Sequence, residues 1–273
     1  MIGRKFVNGV EGGSVSVDDR GLQYGDGLFE TMGATDGRVR RFGQHMTRLA
    51  EGCRRLGMPA PPVEQIELDC LRAIEGFGAA VVKLTLTRGP GPRGYPPPLE
   101  PNLTRIVVST AQQVSEAEAA RPLTVHVCET RLGCNPLLAG MKHLNRLEQV
   151  LAGAELRDAG ADEGLMRSTD DRIVCATAAN IFLVRDGVLL TPRISDCGVA
   201  GVMREAVLRA AVVLGILVEV GDFTLDDLAR AEECFLTNAV RGVRPVGRVE
   251  GVNNFRSSEI TLRLREATEA AAE

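Results

Sequence analysis

The sequence predicts an α/β protein of the α+β kind, built as two domains. Three observations carry that expectation. The chain of 273 residues exceeds the usual size of one domain and has ample material for a core. Runs rich in β-formers alternate with stretches whose apolar residues recur at helical spacing. A polar, alanine-rich stretch ending in a proline, residues 112–122, separates a smaller part, 1–111, from a larger one, 123–273.

The elements follow in order. Phe6-Val7 and Val10 flank Asn8-Gly9, a strong hairpin turn. A strand covers Leu28 to Met32, with Asp36-Gly37 as its turn. Phe42 to Leu56 reads as a helix with Met46, Leu49 and Cys53 on one face and Gly57 as its stop, and a second helix runs from Val63 to Ile74 and ends near Gly76. Strands Ala79–Leu86 and Thr104–Ser109 are joined by a loop in which Arg88, Arg93 and Tyr95 stand among glycines and prolines as far as Pro98. Beyond residue 122 come a strand, Leu123–Cys128, and a Pro/Gly-punctuated loop. That loop leads into a helix whose Leu144, Leu147, Leu151 and Ala154 keep the three-to-four spacing of an apolar face. A hairpin spans Asn180 to Thr191, turned at Asp186-Gly187. The segment from Asp196 to Arg204 opens a helix reaching about Leu214. Thr224 with Asp227 forms a capping box, Glu233–Leu236 is a strand, and Ser257-Ser258 cap the last helix.

Composition removes several function classes. A net charge of −4 gives no footprint for nucleic acid, and two tyrosines without tryptophan make a poor stacking platform. No apolar run approaches bilayer length, which points to the cytoplasm. Seven scattered cysteines never form a C-x-x-C pair, so reduced thiols are expected rather than disulfides or zinc. His45, His126 and His143 lack ligand-like spacing and are read as packed or capping residues, so no metal is expected.

Lys142 stands out. The chain has only three lysines, Lys5, Lys83 and Lys142, against 29 arginines. Lys142 falls at or just before the first turn of its helix, where the dipole's positive end and desolvation favour the neutral amine. A neutral lysine amine is a nucleophile toward carbonyls, including that of pyridoxal phosphate; a solvated surface lysine is the plain alternative. The segment Gly198-Val199-Ala200-Gly201-Val202-Met203 offers free N–H groups at a helix start, a second feature that this cofactor needs for its phosphate.

Four runs carry a resemblance. Asp19-Arg20-Gly21-Leu22-Gln23-Tyr24-Gly25-Asp26-Gly27-Leu28-Phe29-Glu30-Thr31, His45-Met46-Thr47-Arg48-Leu49, Lys142-His143-Leu144-Asn145 and Ala178-Ala179-Asn180-Ile181-Phe182 occur in this order. The chain thereby resembles the fold-type-IV pyridoxal-phosphate enzymes, a two-domain, D-amino-acid aminotransferase-like fold over essentially the whole chain. That family contains branched-chain aminotransferases, D-amino-acid transaminases and aminodeoxychorismate lyases. The run from Asn135 to Gln149, Arg93-Gly94-Tyr95, and Phe29 where the D-amino-acid transaminases usually carry tyrosine are most similar to the lyases.

The resemblance implies a homodimer with pyridoxal 5'-phosphate between its domains, converting 4-amino-4-deoxychorismate to p-aminobenzoate and pyruvate for folate synthesis. It makes Lys142 the Schiff-base lysine and proton carrier. Arg48 would hold the phosphate with the backbone at Val202-Met203 and at Asn238-Ala239, and Arg146 would lie near the phenolate oxygen. Thr31, Arg88, Arg93 and Tyr95 are the substrate candidates, with Arg93 preferred because a guanidinium matches the geometry of the substrate's carboxylates. One position departs from the pattern. Cys175 stands where the family usually has a glutamate against the pyridine nitrogen, and a thiol is a poor substitute. Asp162 or Glu163 is the alternative source of a carboxylate. The competing readings are an aminotransferase for D- or branched-chain amino acids, told apart by amino-donor turnover, and a pyridoxal-phosphate-binding protein that turns over no amine.

Overall fold

The computed structural model describes residues 3–112 and 121–271. The chain divides into two compact units, Met1–Gln113 with Met141–Asn145, and Val114–Gly140 with Arg146–Glu273. Residues 113–120, most of the expected linker, lie outside the described residues.

The N-terminal unit contains β1 (Lys5–Val7), β2 (Val10–Glu11), α1 (Arg20–Tyr24), β3 (Gly27–Thr35), β4 (Arg38–Val39), α2 (Phe42–Leu56), α3 (Val63–Ile74), β5 (Ala79–Thr87) and β6 (Thr104–Ala111). Its six strands form one antiparallel sheet in the order β2-β1-β6-β5-β3-β4. Asn8-Gly9 and Asp36-Gly37 turn their hairpins with positive φ at both residues, the left-handed geometry that matches strand twist. Helices α2 and α3 cover one face. A Cβ on Gly52 of α2 would collide with Leu28 of β3, and Ser109 Oγ of β6 donates to the Ala73 carbonyl of α3 at 2.6 Å. Every second residue of the central strands, among them Met32, Val82, Leu84 and Val107, is accordingly buried.

The C-terminal unit contains β7 (Leu123–Leu132), α4 (Leu147–Ala159), β8 (Glu163–Ser168), β9 (Ile173–Ala176), β10 (Asn180–Arg185), β11 (Val188–Pro192), α5 (Val202–Val213), β12 (Val218–Gly221), α6 (Leu225–Ala229), β13 (Glu233–Asn238), β14 (Gly242–Val249), β15 (Asn253–Asn254) and α7 (Glu259–Ala270). Its sheet runs β12-β11-β10-β13-β14-β7-β8-β9, with β15 on β14 and three parallel pairings, β11–β12, β14–β7 and β7–β8. Both faces of its middle are buried. Ile181 and Leu183 join one core with Val125, Leu165 and Leu236, while Phe182 and Val184 pack with Met203, Val207 and Leu264 of α5 and α7. Phe182 and Phe235 stack there with ring centres 4.9 Å apart.

Three expectations need correction. The helix after Lys142 begins at Leu147, so Lys142 lies outside its first turn and the dipole argument does not apply. The apolar spacing over 147–154 is not a core face either, since Leu147 and Leu151 are 74% and 56% exposed and the buried residue of α4 is Ala152. The last helix is capped by a carboxylate from β13 instead of its own serines: Glu233 accepts from the N–H groups of Ile260 and Thr261 and from the Ser257 hydroxyl. A distant side chain has no local signature, which is why the serines looked sufficient.

Candidate active site

Residues 141–145, assigned by the sequence to the C-terminal part, group instead with the N-terminal unit. The first three residues of β3 have no other neighbour on that edge, because β4 pairs only with Ala34 and Thr35. The segment fills the gap. Phe29 N donates to the Lys142 carbonyl at 2.9 Å, Leu144 N donates to the Gly27 carbonyl at 3.0 Å, and Leu28 faces His143 as a bridge. Asn145 Nδ2 donates to the Gly25 carbonyl and closes the end. Lys142 is thereby held by backbone bonds beside Phe29, with Nζ 4.3 Å from the ring centre. Thr31, two residues along β3, points to the same side as Phe29.

Arg48 projects from α2 onto β3. Its Nε donates to Glu30 Oε1 at 2.8 Å and its Nη2 to Glu30 Oε2, while His45 Nδ1 lies 2.6 Å from the same carboxylate. Glu30 is 1% exposed. Burial alone would raise its carboxyl pKa, yet the hydrogen bonds from Arg48 and His45 prevail and hold it below the ordinary value. This network orients Arg48.

The arginines of the 88–98 loop part company. Arg88 is buried, donating to Asp26 Oδ2 at 2.7 Å and to the carbonyls of Leu56 and Gly57 at the end of α2. Its three nitrogens each make a hydrogen bond that holds the fold. Arg20 does the corresponding work for the loop, reaching Asp26 Oδ2 with Nε and the carbonyls of Gly94 and Tyr95 with its two terminal nitrogens. Arg93 is exposed, and Tyr95, 83% exposed, leans on Tyr24 with ring centres 5.6 Å apart. Arg20's role was not foreseen. Its only signal was position, at the start of a Gly-rich run before a strand.

In the C-terminal unit the anion candidates converge. Asn180 and Thr237 are opposite each other on β10 and β13. Asn180 Nδ2 donates to the Val199 carbonyl at 2.9 Å and fixes the loop before α5, and a Cβ on Gly201 would run into Asn180 Oδ1. Gly201 caps α5 in extended conformation with no side-chain cap, so the helix start at Val202 and Met203 keeps its N–H groups for an anion. Thr237 Oγ1 is buried with no hydrogen-bond partner, beside the Asn238-Ala239 turn. Asn238 Oδ1 accepts from the N–H groups of Val240 and Arg241, so that turn offers an anion its backbone rather than this side chain. Thr237 escaped the sequence reading because a threonine in a strand looks like an ordinary β-former.

Cys175, on β9, belongs to an apolar cluster with Cys128, Leu132, Ala152, Met166, Val174 and Cys197. Burial pushes its thiol up to about 12, against the pull of Arg146, the residue that precedes α4. The thiol is therefore neutral. Of the alternative carboxylates, Asp162 is gripped by Arg121 and accepts from Thr124 N at 2.8 Å, whereas Glu163, which accepts from the Thr177 hydroxyl and Gly164 N, is near enough to add to the upward push on the Cys175 thiol. Among the described residues no three His, Cys, Asp or Glu side chains gather as metal ligands would, and no helix is long and apolar enough to cross a membrane.

Each unit by itself offers a group that pyridoxal phosphate requires: the N-terminal unit an amine, Lys142 Nζ beside Phe29, and the C-terminal unit an anion-ready helix start at α5 with the unpartnered Thr237 hydroxyl.

Residues 27–249 match the amino-transferase class IV model. The chain belongs to that family, whose members are pyridoxal-phosphate enzymes of fold type IV. It is 36% identical to the aminodeoxychorismate lyase of Vibrio harveyi over 95% of this chain and 97% of that protein. The crystal structure of 4-amino-4-deoxychorismate lyase from Pseudomonas aeruginosa superposes with a TM-score of 0.91 at 41% identity, covering 97% of this chain and 98% of that one. A putative branched-chain-amino-acid aminotransferase of Methanocaldococcus jannaschii is 34% identical over 96% of this chain and 92% of its own length.

Proposed function

We propose that this protein is an aminodeoxychorismate lyase, releasing p-aminobenzoate and pyruvate from 4-amino-4-deoxychorismate in the supply of folate precursors. The observation that carries the reading is full-length likeness to two lyases, at 36% and 41% identity, with Lys142 seated on Phe29.

When bound, pyridoxal phosphate supplies an aldehyde that condenses with amines and a conjugated ring that draws electrons from the neighbouring carbon. Lys142 would hold that aldehyde, and its free Nζ is the base placed to take the proton from the carbon bearing the substrate's amine. The electron pair left behind forms a ring double bond, the bond to the enolpyruvyl oxygen breaks, and the ring becomes aromatic. Lys142 returns its proton to the departing three-carbon unit, which leaves as pyruvate. Arg48, the α5 start at Val202-Met203, and the backbone of Asn238-Ala239 would hold the phosphate. Arg146 would serve the ring's phenolate oxygen, and Cys175 would stand at the ring nitrogen as a neutral thiol. Thr31, Arg88, Arg93 and Tyr95 would hold the substrate, Arg93 by pairing with a carboxylate.

The active form is a homodimer in the cytoplasm. Leu147, Val150 and Leu151 share one helix face of α4 and are 74%, 63% and 56% exposed, an apolar stripe that a second copy would cover. All seven cysteines are free thiols, in keeping with a reducing compartment. Sedimentation at twice the chain mass is expected, and a Leu151→Asp variant that sediments as the wild type does would count against this stripe as the contact.

The deciding assay follows p-aminobenzoate and pyruvate from aminodeoxychorismate generated in situ. Stoichiometric release by the wild type and a loss of at least about a thousandfold in Lys142→Ala are expected. A cofactor-loaded wild type that releases neither product sinks the reading. The likeness to the Methanocaldococcus jannaschii protein then favours the second one, an aminotransferase, tested by amino-donor turnover.

A further inference from the structure

Cysteines gather in the C-terminal unit. Cys128, Cys175 and Cys197 share one apolar cluster, and the Cys197 thiol makes a hydrogen bond with a further cysteine, Cys134. Of the chain's seven cysteines only Cys134 is exposed, whereas Cys197 is buried. The pair thus joins a thiol that a dissolved reagent can reach to one that it cannot.

The backbone holds both residues in place. Cys134 follows β7 and Cys197 follows β11, in two segments that run side by side. Asn135 N donates to the Asp196 carbonyl at 2.6 Å, Gly140 N to the Gly198 carbonyl at 3.0 Å and Ala200 N to the Gly140 carbonyl at 3.0 Å, with Gly140 and Val199 forming a parallel bridge. The cysteines flank the first of these bonds: Cys134 precedes its donor and Cys197 follows its acceptor. Each segment is also tied from outside. Gly133 N donates to Glu148 Oε1 at 2.8 Å, and Arg172 Nη2 donates to Asp196 Oδ2 at 2.5 Å. The Cys134 sulfur lies 3.8 Å from the Thr169 hydroxyl, its other polar neighbour. Two sulfurs in contact on segments tied this way can be joined by side-chain rotation, without the backbone movement that prevents most cysteine pairs from bridging. The two members differ in reactivity as well. Burial pushes the Cys197 thiol up to about 12, and Cys134 and Asp196 add to the push, so Cys197 keeps its proton and the first attack falls to Cys134.

We propose that Cys134 and Cys197 form a reversible dithiol/disulfide site, oxidised by a small-molecule disulfide and clamping segments 134–140 and 196–201 to each other. The Cys134 thiolate attacks one sulfur of the oxidant. A bond from Cys134 to that sulfur forms, the oxidant's own S–S bond breaks, and its other half leaves as a thiolate that takes up the proton Cys134 gave off. Cys197 then attacks Cys134 Sγ and expels the first half, which leaves with the Cys197 proton. One protein disulfide has formed, and the oxidant has gained two electrons and become two thiols. In a reducing compartment the pair stays a dithiol until oxidant accumulates. The first segment runs on to Lys142 and the second to the start of α5. The site lies outside the proposed reaction and stands whichever amine chemistry the protein performs.

The test incubates the reduced, cofactor-loaded wild type with excess oxidised glutathione. Its thiol titre in denaturant should fall by two, the intact mass should show no retained glutathione, and peptide mapping without reductant should link Cys134 to Cys197. The thermal midpoint should rise by about 5 °C or more, because the bond closes a long loop in the unfolded chain, and dithiothreitol should reverse every change. Cys197→Ser should retain one glutathione on Cys134, and Cys134→Ser should lose no thiol. A wild type that loses no thiol, or that keeps glutathione on Cys134, overturns the proposal, as does a bond from Cys197 to Cys175. A midpoint that the Cys134–Cys197 bond leaves unmoved overturns the clamp.

Discussion

Strands β5 and β10 are made of similar residues and are buried in different ways. In β5, Ala80, Val82, Leu84 and Leu86 are buried while the residues between them are partly or fully exposed; in β10, five residues in succession, Asn180 to Val184, are buried. The first belongs to a sheet covered on one face, the second to a sheet covered on both. The difference decides where chemistry fits. A one-sided sheet offers polar groups from the middle of its strands, as with Thr31 and Lys83 beside Phe29. A two-sided sheet has room for them only at strand ends, as with Asn180, Thr237 and the Gly201 helix start.

The strongest way to break this contrast is to disturb the covered face of the one-sided sheet. Glu30 lies there in mid-strand, bound to Arg48 and His45. Glu30→Gln leaves the buried end of Arg48 without its counter-charge and is expected to cost about 3–5 kcal/mol, read as a fall in the denaturation midpoint. The pH dependence follows from the same network. Glu30's carboxyl is held below the ordinary value of 4.5, so its contribution is complete above that value and is lost as pH falls through the lower folded one. The wild type should lose stability on acidification below about pH 4.5, and Glu30→Gln should flatten that part of the profile. An unchanged midpoint would mean that a carboxylate in mid-strand is not what holds Arg48.

The strand-end site is sharpened by two smaller changes. Gly201→Ala forces a methyl group onto Asn180 Oδ1, shifts the start of α5, and should weaken pyridoxal phosphate binding by roughly ten- to a hundredfold in titration of the apoprotein. Thr237→Val discriminates further. If an anion uses the buried hydroxyl, affinity falls by about tenfold; if nothing does, removing an unpartnered polar atom leaves affinity alone and raises stability.

The contrast also accounts for what the sequence made legible. Turns with X-Gly pairs, α2 with its Gly57 stop, and the alternating strands of the N-terminal sheet follow from local rules, and they fall where those rules put them. The helical start at Lys142 was misread because Leu144 continues the spacing of α4, whereas backbone pairing with β3 draws the segment into an extended form. No local rule sees a strand edge that another part of the chain has left open. Arg88 and Arg93 looked alike for the same reason: they are five residues apart in one loop, and only Asp26 and the carbonyls ending α2 tell the structural arginine from the exposed one. Thr237 was hidden by the good β-propensity of its surroundings, since a strand's reading ends with its pattern and does not ask which of its polar groups lack a partner.

Cys175 gives the smallest expected effect, and the one most particular to this chain. The thiol sits in mid-strand, neutral and packed among Cys128, Met166 and Val174, with Asp162 held by Arg121. A ring nitrogen facing it gains no counter-charge, so the ring withdraws electrons less strongly than it would opposite a carboxylate. The lyase tolerates this because aromatisation of the substrate drives bond breaking, whereas transamination relies on the ring to hold charge and accept a proton. Cys175→Glu is therefore expected to speed half-transamination of D- or L-alanine, by several-fold to about tenfold, a gain of roughly 1 kcal/mol, while lowering stability through a carboxyl placed in an apolar cluster. Single-turnover loss of the cofactor's aldehyde absorbance on mixing with alanine reads the first effect, and thermal unfolding reads the second. A variant that folds, loads cofactor and gains nothing with alanine would show that the thiol is not what restrains transamination, and would shift the weight of lyase specificity onto the residues proposed to hold the substrate.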